Sequence, residues 1–378
     1  MKRARLFTPG PTAVPDEVLA ALGRPLVHHR TQAFGDALTE VMCDLQYIMQ
    51  TQNPVVVLSS SGSGGMEACV VNLTAPGEKV IVTELGKFSN RWREMAQTYG
   101  VEVVSVSAEW GHAVTPDQVA AAFTAHPDAT ALLTIHSETS TGVLQDVEAF
   151  AQIAHRHDAL IVVDGITSVG CHDVRTDEWG LDAVVGGSQK GVMTPPGLAY
   201  VSLSPAAIQK MEGRRHASYY FDLVKAVKSA GKADTPYTPA IPLVFGLQAA
   251  LRMMREEGLE NVIARHAANA GAVRAAVSAM GLSMLAETPS NATTAVLIPD
   301  GRAGDITKKM EHEHGVKIAG GQQHLNGHIV RLGHLGFYNA ADMLTLVTAF
   351  ETVCHELGLV DARGPGVEAL GAAYGGGA

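Results

Sequence analysis

Lys190 stands alone in the stretch "VVGGSQKGVMTPPG", between an apolar run and a rigid Pro-Pro-Gly turn. A lysine at such a place is ordinarily a solvated loop residue, because an ammonium group is almost never buried without a partner. Two other stretches change that reading. Asp164 ends the apolar run "ALIVVDG", and a carboxylate at the end of a buried strand is costly unless a cation faces it. The turn "SGSGG", Ser61 to Gly65, leads from a further apolar run into a helical pattern. Glycines let a backbone approach a ligand, and a helix start offers free N–H groups and a positive dipole to a phosphate. The turn lacks the G-K-[ST] of a P-loop and the third glycine of a dinucleotide fingerprint. An amine that can condense with a carbonyl, an acid that can hold a proton and a phosphate turn are therefore the chemistry to be positioned.

Apolar runs of four to eight residues alternate with amphipathic helical patterns through the first two thirds of the chain. "PVVVLSS", "EKVIVTEL", "VEVVSVSA", "ATALLTIHS", "ALIVVDG", "LDAVVGG" and "GLAYVSLS" read as strands, and the helix after "SGSGG" is expected from about Met66. Thr115 before Pro116 is a helix start signal. This is the α/β pattern of a mostly parallel seven-stranded sheet covered on both faces. Ligands of such sheets bind at the carboxyl ends of the strands, where Ser61–Gly65, Asp164 and Lys190 all fall. After about residue 245 long helical patterns and short strands ("TTAVLIP", "HIVRLGHLG") predict a smaller α+β unit. The expected division is an N-terminal arm over 1–20, a large domain over 21–245 and a small domain over 246–378. The Gly/Ala-rich tail "GPGVEALGAAYGGGA" is expected to be loosely held.

The chain has 378 residues, 46% of them hydrophobic, and a formal net charge of -10. The acidic balance argues against nucleic acid and anionic membrane surfaces as partners. No stretch reaches a membrane span, and the start is not a secretory signal. Cys43, Cys69, Cys171 and Cys354 form no C-x-x-C pair, which fits reduced, mostly buried thiols in the cytoplasm.

Pyridoxal 5′-phosphate (PLP) needs all three groups at once. Its phosphate wants helix N–H donors, its pyridine nitrogen an aspartate, and its aldehyde a lysine for a Schiff base. At this point the chain resembles the class V aminotransferases of PLP fold type I, near the alanine–glyoxylate and serine–pyruvate enzymes. The resemblance runs over nearly the whole length. It is carried by "TPGPTAVP", "SGSGGMEA", "HSETSTGVLQ", "VVDGITSVG", "GGSQKGVMTPPG" and "VRLGHLG", in that order.

The resemblance implies roles for individual residues. Lys190 would form the Schiff base and Asp164 would face the pyridine nitrogen. Ser63, Gly64, Gly65 and Gln189 would contact the phosphate, Phe88 would stack on the ring, and Thr139 would donate to its hydroxyl. Arg331 would hold the substrate α-carboxylate as a bidentate fork. "TPYTPAIP" resembles a segment that reaches a neighbouring subunit's phosphate through Tyr237. Where some relatives carry a threonine this chain has Ala240, and Thr238 would substitute. A homodimer follows if that segment works in trans. Arg30, in "HHRTQAF", is a candidate for a second anionic group on the substrate. "EHEH", Glu311 to His314, reads as a solvated helix face rather than a metal site.

The expected reaction is transfer of an amino group from serine or alanine to glyoxylate or pyruvate. Alternatives are a transaminase for a phosphonate or phosphorylated amine, a lyase or cysteine desulfurase on the same fold, and a non-catalytic scaffold subunit. Desulfurases usually place a histidine before the lysine, where this chain has Gln189, and a cysteine on a mobile loop, whereas Cys354 sits in a helical pattern.

Overall fold

The computed structural model describes residues 4–212 and 218–375. Helices α1 (Asp16–Leu22) and α2 (Gln32–Met49) precede the first strand of the main sheet, β1 (Val55–Leu58). The chain then alternates as expected: α3 (Gly62–Leu73), β2 (Lys79–Glu84), α4 (Asn90–Thr98), β3 (Glu102–Ser107), α5 (Pro116–Ala125) and β4 (Ala129–Ile135). It continues with α6 (Val147–Arg156), β5 (Leu160–Asp164), β6 (Ala183–Gly187) and β7 (Ala199–Leu203). Thr115 caps α5 in a capping box with Gln118, as its sequence signal implies.

These seven strands form one sheet in the order β1-β7-β6-β5-β4-β2-β3. Only β7 runs against its neighbours, β1 and β6. Alternate side chains enter two different cores, one on each face. Ile81, Leu132, Ile161, Val163 and Val184 pack beneath α2, α5 and α6. Val80, Val82, Leu133, Val162 and Val185 pack beneath α3 and α4, against Met66, Val70 and Trp92. Near-continuous apolar strands are what a sheet buried on both faces requires.

Helices α7 (Pro205–Met211) and α8 (Leu223–Ala230) lead to α9 (Ile241–Glu257) and α10 (Leu259–Ala279). Helix α10 bridges two bodies of core. Its Val262 belongs to the core beneath the main sheet, while Val273 and Val277 belong to a second one. That second core is completed by β8 (Thr293–Leu297), α11 (Ala303–His314), β9 (Ala319–Gly320), β10 (Ile329–Gly333) and α12 (Ala340–Glu356). The strands make an antiparallel sheet in the order β8-β10-β9. The N-terminal stretch joins it: Arg5–Leu6 pairs in parallel with Val316–Lys317, and Phe7 is buried in the second core.

Two expectations are corrected. Helix α3 begins at Gly62, not near Met66. The glycines there serve close packing rather than a loose turn. A Cβ on Gly62 would lie 2.4 Å from Ile166 Cδ1, and one on Gly65 would lie 2.7 Å from Val185 Cγ1. The tail is not loose either, since Pro365–Gly375 forms helix α13. Gly366 and Leu370 are buried, one helical turn apart, and Tyr374, a turn further on, donates to Asn269 Oδ1 at 2.6 Å. A small-residue helix face can sit close against a neighbour, which composition alone does not reveal.

Candidate active site

Loops at the carboxyl ends of β1, β2, β4, β5 and β6 converge on one cleft of about 190 Å³. Ser63, Phe88, Thr139, Asp164, Gln189 and Lys190 all line it. Six sequence-derived candidates are thus brought together from five separate chain segments.

Lys190 lies just beyond β6 in a turn tied by Met193 N–H to Lys190 O (2.9 Å) and by Ser188 Oγ to Pro195 O (2.7 Å). Its Nζ donates to Pro9 O at 2.6 Å. Thr12 clamps the same turn, its N–H donating to Gln189 O and its hydroxyl to Lys190 O, both at 3.2 Å. The N-terminal stretch therefore crosses from the second core to form a wall over the lysine. Gly10 is required in that wall: its φ is +124°, and a Cβ there would lie 2.6 Å from Lys190 Nζ. Burial is the main force on the Lys190 amine, lowering its pKa from 10.5 to about 8. Asp164 opposes that shift, while Arg331 and Arg91 reinforce it.

Asp164 ends β5 and is only 4% exposed. Its Oδ1 accepts from Ile166 N–H at 2.9 Å, and Oδ2 has no hydrogen-bond partner among the described residues. Burial pushes its pKa from 3.8 up to about 7; the nearby Glu138 adds to this, while Lys190 and Arg91 pull it down. An acid that lacks a second partner is the group a protonated ring nitrogen would satisfy. Gln189 Oε1 is likewise buried without a partner among the described residues.

Arg331 lies on β10, 7% exposed, and reaches across from the second sheet. Its Nε donates to Gly320 O (2.9 Å) and its Nη1 to Thr139 O (3.0 Å). Nη2 is left unengaged among the described residues, and no carboxylate pairs with the guanidinium there. Burial lowers its pKa to about 10, partly offset by Glu138.

The remaining candidates lie elsewhere. Gly64 and Gly65 are absent from the cleft lining; their N–H groups both turn to Ser61 O, at 2.9 and 3.4 Å. Because α3 starts early, Ser61, Gly62 and Ser63 face the cleft in their stead. Tyr237 stacks on Tyr220 with ring centroids 5.0 Å apart, and its hydroxyl donates to Tyr219 O at 2.6 Å. Thr238 shares a small depression with Tyr237, Tyr220 and Ser59. Arg30 pairs with Asp234 and donates to Thr235 O at 3.2 Å, and Thr235 in turn donates to Tyr237 O at 2.7 Å. These three candidates form one patch separate from their own chain's cleft. In "EHEH", Glu313 is paired with Lys309 and Glu311 with Lys317. Glu313, His314 and Glu356 approach one another on the exposed surface.

Two site residues went unread in the sequence. Glu138 is fully buried and satisfied by four donors: Phe88 N–H (3.0 Å), Ser89 N–H (2.7 Å), Ser140 N–H (3.0 Å) and Ser140 Oγ (2.7 Å). It ties the loop carrying Phe88 to the loop carrying Thr139. Arg91 lines the cleft, donates to Ser63 Oγ at 2.9 Å and lies 4.8 Å from the Phe88 ring centroid. A charged residue inside each strand-end stretch, "HSETSTG" and "ELGKFSNRW", was the available signal.

Two wider grooves, of about 620 and 560 Å³, lie beside Tyr47 and Arg255 and beside Phe7 and Tyr338. Among the described residues neither is lined by a lysine, and the paired amine and acid belong to the narrower cleft. The groups there fit PLP: a lysine amine, an acid short of one partner, a helix start with Ser63, and a phenyl ring.

The family described as aminotransferase class-V matches residues 5–345. Among relatives, the chain is 42% identical to a soluble hydrogenase small subunit of Synechococcus sp. (strain PCC 6716), over 97% of each chain. It is 38% identical to the L-aspartate–glyoxylate aminotransferase of Paracoccus denitrificans, over 96% of this chain and 94% of the relative. The crystal structure of an alanine–glyoxylate aminotransferase from Nostoc sp. superposes with a TM-score of 0.89 at 32% identity, covering 93% of this chain and 96% of that one. Sequence, fold and cleft agree that this chain belongs to the class V aminotransferases and works with PLP as its cofactor.

Proposed function

We propose that the enzyme moves an amino group from a small amino acid, serine or alanine, to a small 2-oxo acid, glyoxylate or pyruvate. The observation that carries the site assignment is Lys190 beside a buried, half-partnered Asp164 in one narrow cleft. Bound PLP supplies an aldehyde to carry the amino group and an electron-poor ring to receive charge. Lys190 Nζ is the group released to take the substrate's α-proton and return it as general acid. Asp164 holds the proton on the ring nitrogen, Thr139 meets the ring hydroxyl, and Phe88 presents a π-face. Ser63 and Gln189 meet the phosphate. Two of the similar proteins are named for glyoxylate as a substrate, which supports a small 2-oxo acid as acceptor. A half-reaction screen tests the reading: each amino acid is mixed with the holoenzyme while the cofactor absorbance converts from the aldehyde to the amine form. Fast conversion by serine or alanine is expected; conversion only by long or phosphorylated amines would overturn the substrate assignment.

Arg331 is proposed to bind the substrate α-carboxylate, because its guanidinium is buried, free of any described carboxylate partner, and close enough to lower the Lys190 pKa. Removing one member of a desolvated charged pair costs about 2–5 kcal/mol. Arg331→Ala is therefore expected to lose about 30- to 4000-fold in kcat/KM with every amino donor. Arg331→Lys keeps the charge, loses the fork and falls between. PLP occupancy should stay full in both. An Arg331→Ala enzyme within about threefold of the parent would sink the role.

Only a neutral amine attacks an aldehyde. With the Lys190 pKa lowered to about 8, uptake of PLP by apoenzyme is expected to quicken up to about pH 8 and then level off. A rate still climbing toward pH 10.5 would mean a solvated lysine.

The patch of Arg30, Tyr237 and Thr238 supports a homodimer. None of the three lines its own chain's cleft, so a phosphate contact by Tyr237 or Thr238, or a substrate contact by Arg30, would be made to another copy's cleft. Light scattering on the purified enzyme tests the assembly, and a monomer with full activity would overturn it. The four unpaired cysteines support a cytoplasmic location. No helix among the described residues is long and apolar enough to cross a membrane.

The hydrogenase-named relative favours a second reading, a scaffold subunit without catalysis. The assembled cleft supports the enzyme instead. A colourless purified protein with no borohydride-reducible bond to Lys190 would favour the scaffold. Cys354 is buried in α12, which leaves no support for a desulfurase thiol on a mobile loop.

A further inference from the structure

Among the described residues, two cations line the cleft, Lys190 and Arg91. PLP brings a phosphate of charge near -2, and the Lys190 amine is the group that condenses with the aldehyde. Arg91 is then the one cation among the described cleft-lining residues left to face the phosphate. Its position suits that task. It sits in the first turn of α4, and its Nη1 reaches Ser63 Oγ at 2.9 Å, at the start of α3. Helix α3 has no side-chain cap at Ser61, and the N–H groups of Gly62 and Ser63 have no acceptor among the described residues, whereas those of Gly64 and Gly65 turn to Ser61 O. Ser63, the α3 N-terminus and Arg91 thus converge on one end of the cleft. No carboxylate among the described residues forms an ion pair with Arg91, so most of its donors are uncommitted. Arg331 does not line this cleft; it bonds to Thr139 O, in a different loop from Ser63 and Arg91.

We propose that Arg91 binds the cofactor's phosphate from within the same chain, through charge-assisted hydrogen bonds alongside Ser63 and the start of α3. This rests on the site assignment above, and the test separates the two. A rival role for Arg91 is purely positional. Its guanidinium packs 4.8 Å from the Phe88 ring centroid and so steadies a residue that stacks on the pyridine.

Pyridoxal, which has the ring and aldehyde of PLP but no phosphate, discriminates between the roles. Apoenzyme of the parent, Arg91→Lys and Arg91→Gln is titrated with PLP and with pyridoxal, each followed by protein fluorescence. In Arg91→Gln, PLP affinity is expected to fall about 30-fold or more, while pyridoxal affinity stays within about threefold. Arg91→Lys should recover part of the PLP affinity, since an ammonium keeps the charge without the fork. Inorganic phosphate should raise the Tm of parent apoenzyme and leave that of Arg91→Gln unchanged. The PLP-to-pyridoxal ratio is taken within each variant, so any general loosening of the fold cancels. Equal weakening of both ligands, or PLP affinity within about threefold of the parent, would overturn the proposal. Parent apoenzyme that takes up no PLP would overturn the site assignment itself.

Discussion

Lys190→Ala is expected to slow transamination by more than about ten-thousand-fold, since in the proposed assignment it removes both the nucleophilic amine and the general base. The amine is buried and, among the described residues, bonded only to Pro9 O, and its pKa is already lowered to about 8. It is therefore held ready to react rather than committed to a structural ion pair. Among the described residues no other lysine lines the cleft to replace it. The shortened side chain leaves the phosphate turn, Phe88 and Asp164 in place, so PLP should still bind without a covalent bond. Three measurements check this: single-turnover rates with alanine and serine, borohydride fixation, and cofactor content. Turnover by purified Lys190→Ala within about a hundredfold of the parent, without added amine, would sink the assignment.

Asp164→Asn is the second large effect. The amide keeps the shape and one acceptor for Ile166 N–H, but it cannot hold a proton on the ring nitrogen. A loss of about 30- to 4000-fold in kcat is expected from removal of a buried charged partner. Stability should move the other way in apoenzyme. The Asp164 pKa is raised from 3.8 to about 7, mainly by burial. The folded state thus holds this proton more tightly than the unfolded chain does. The parent apoenzyme then loses stability from this group as pH rises from about 4 to 7, and the loss persists above. Asp164→Asn carries no such cost, so its apoenzyme Tm relative to the parent should be higher at pH 8 than at pH 4. Near-normal turnover, or a Tm difference independent of pH, would reduce Asp164 to a turn residue.

Much of the cleft was legible in the sequence because strand-end chemistry is local. Lys190, Asp164, Ser63, Phe88, Thr139 and Gln189 each lie just past an apolar run. The doubly wound pattern carries such positions to one edge of the sheet. Arg91 and Glu138 lie in stretches that were read, yet their roles depend on what they face. Arg91 matters because α4 turns it toward Ser63, and Glu138 because four donors from two loops close on it.

The sequence by itself determined the strands of the main sheet, their two-sided burial and the residue types at their carboxyl ends, but neither the start of α3 nor helix α13. Hydrophobic period and turn chemistry act over a few residues, and both are written along the chain. Only the tertiary structure decided the pairings between distant segments. Strand β2 lies between β3 and β4, and β7 returns antiparallel beside β1. The N-terminal stretch leaves the second core to place Pro9 and Gly10 against Lys190. Arg331 arrives from a different sheet, and Arg30, Tyr237 and Thr238 gather away from their own cleft. Such contacts are selected by the summed burial of whole surfaces, and no local stretch of sequence records which surface will meet it.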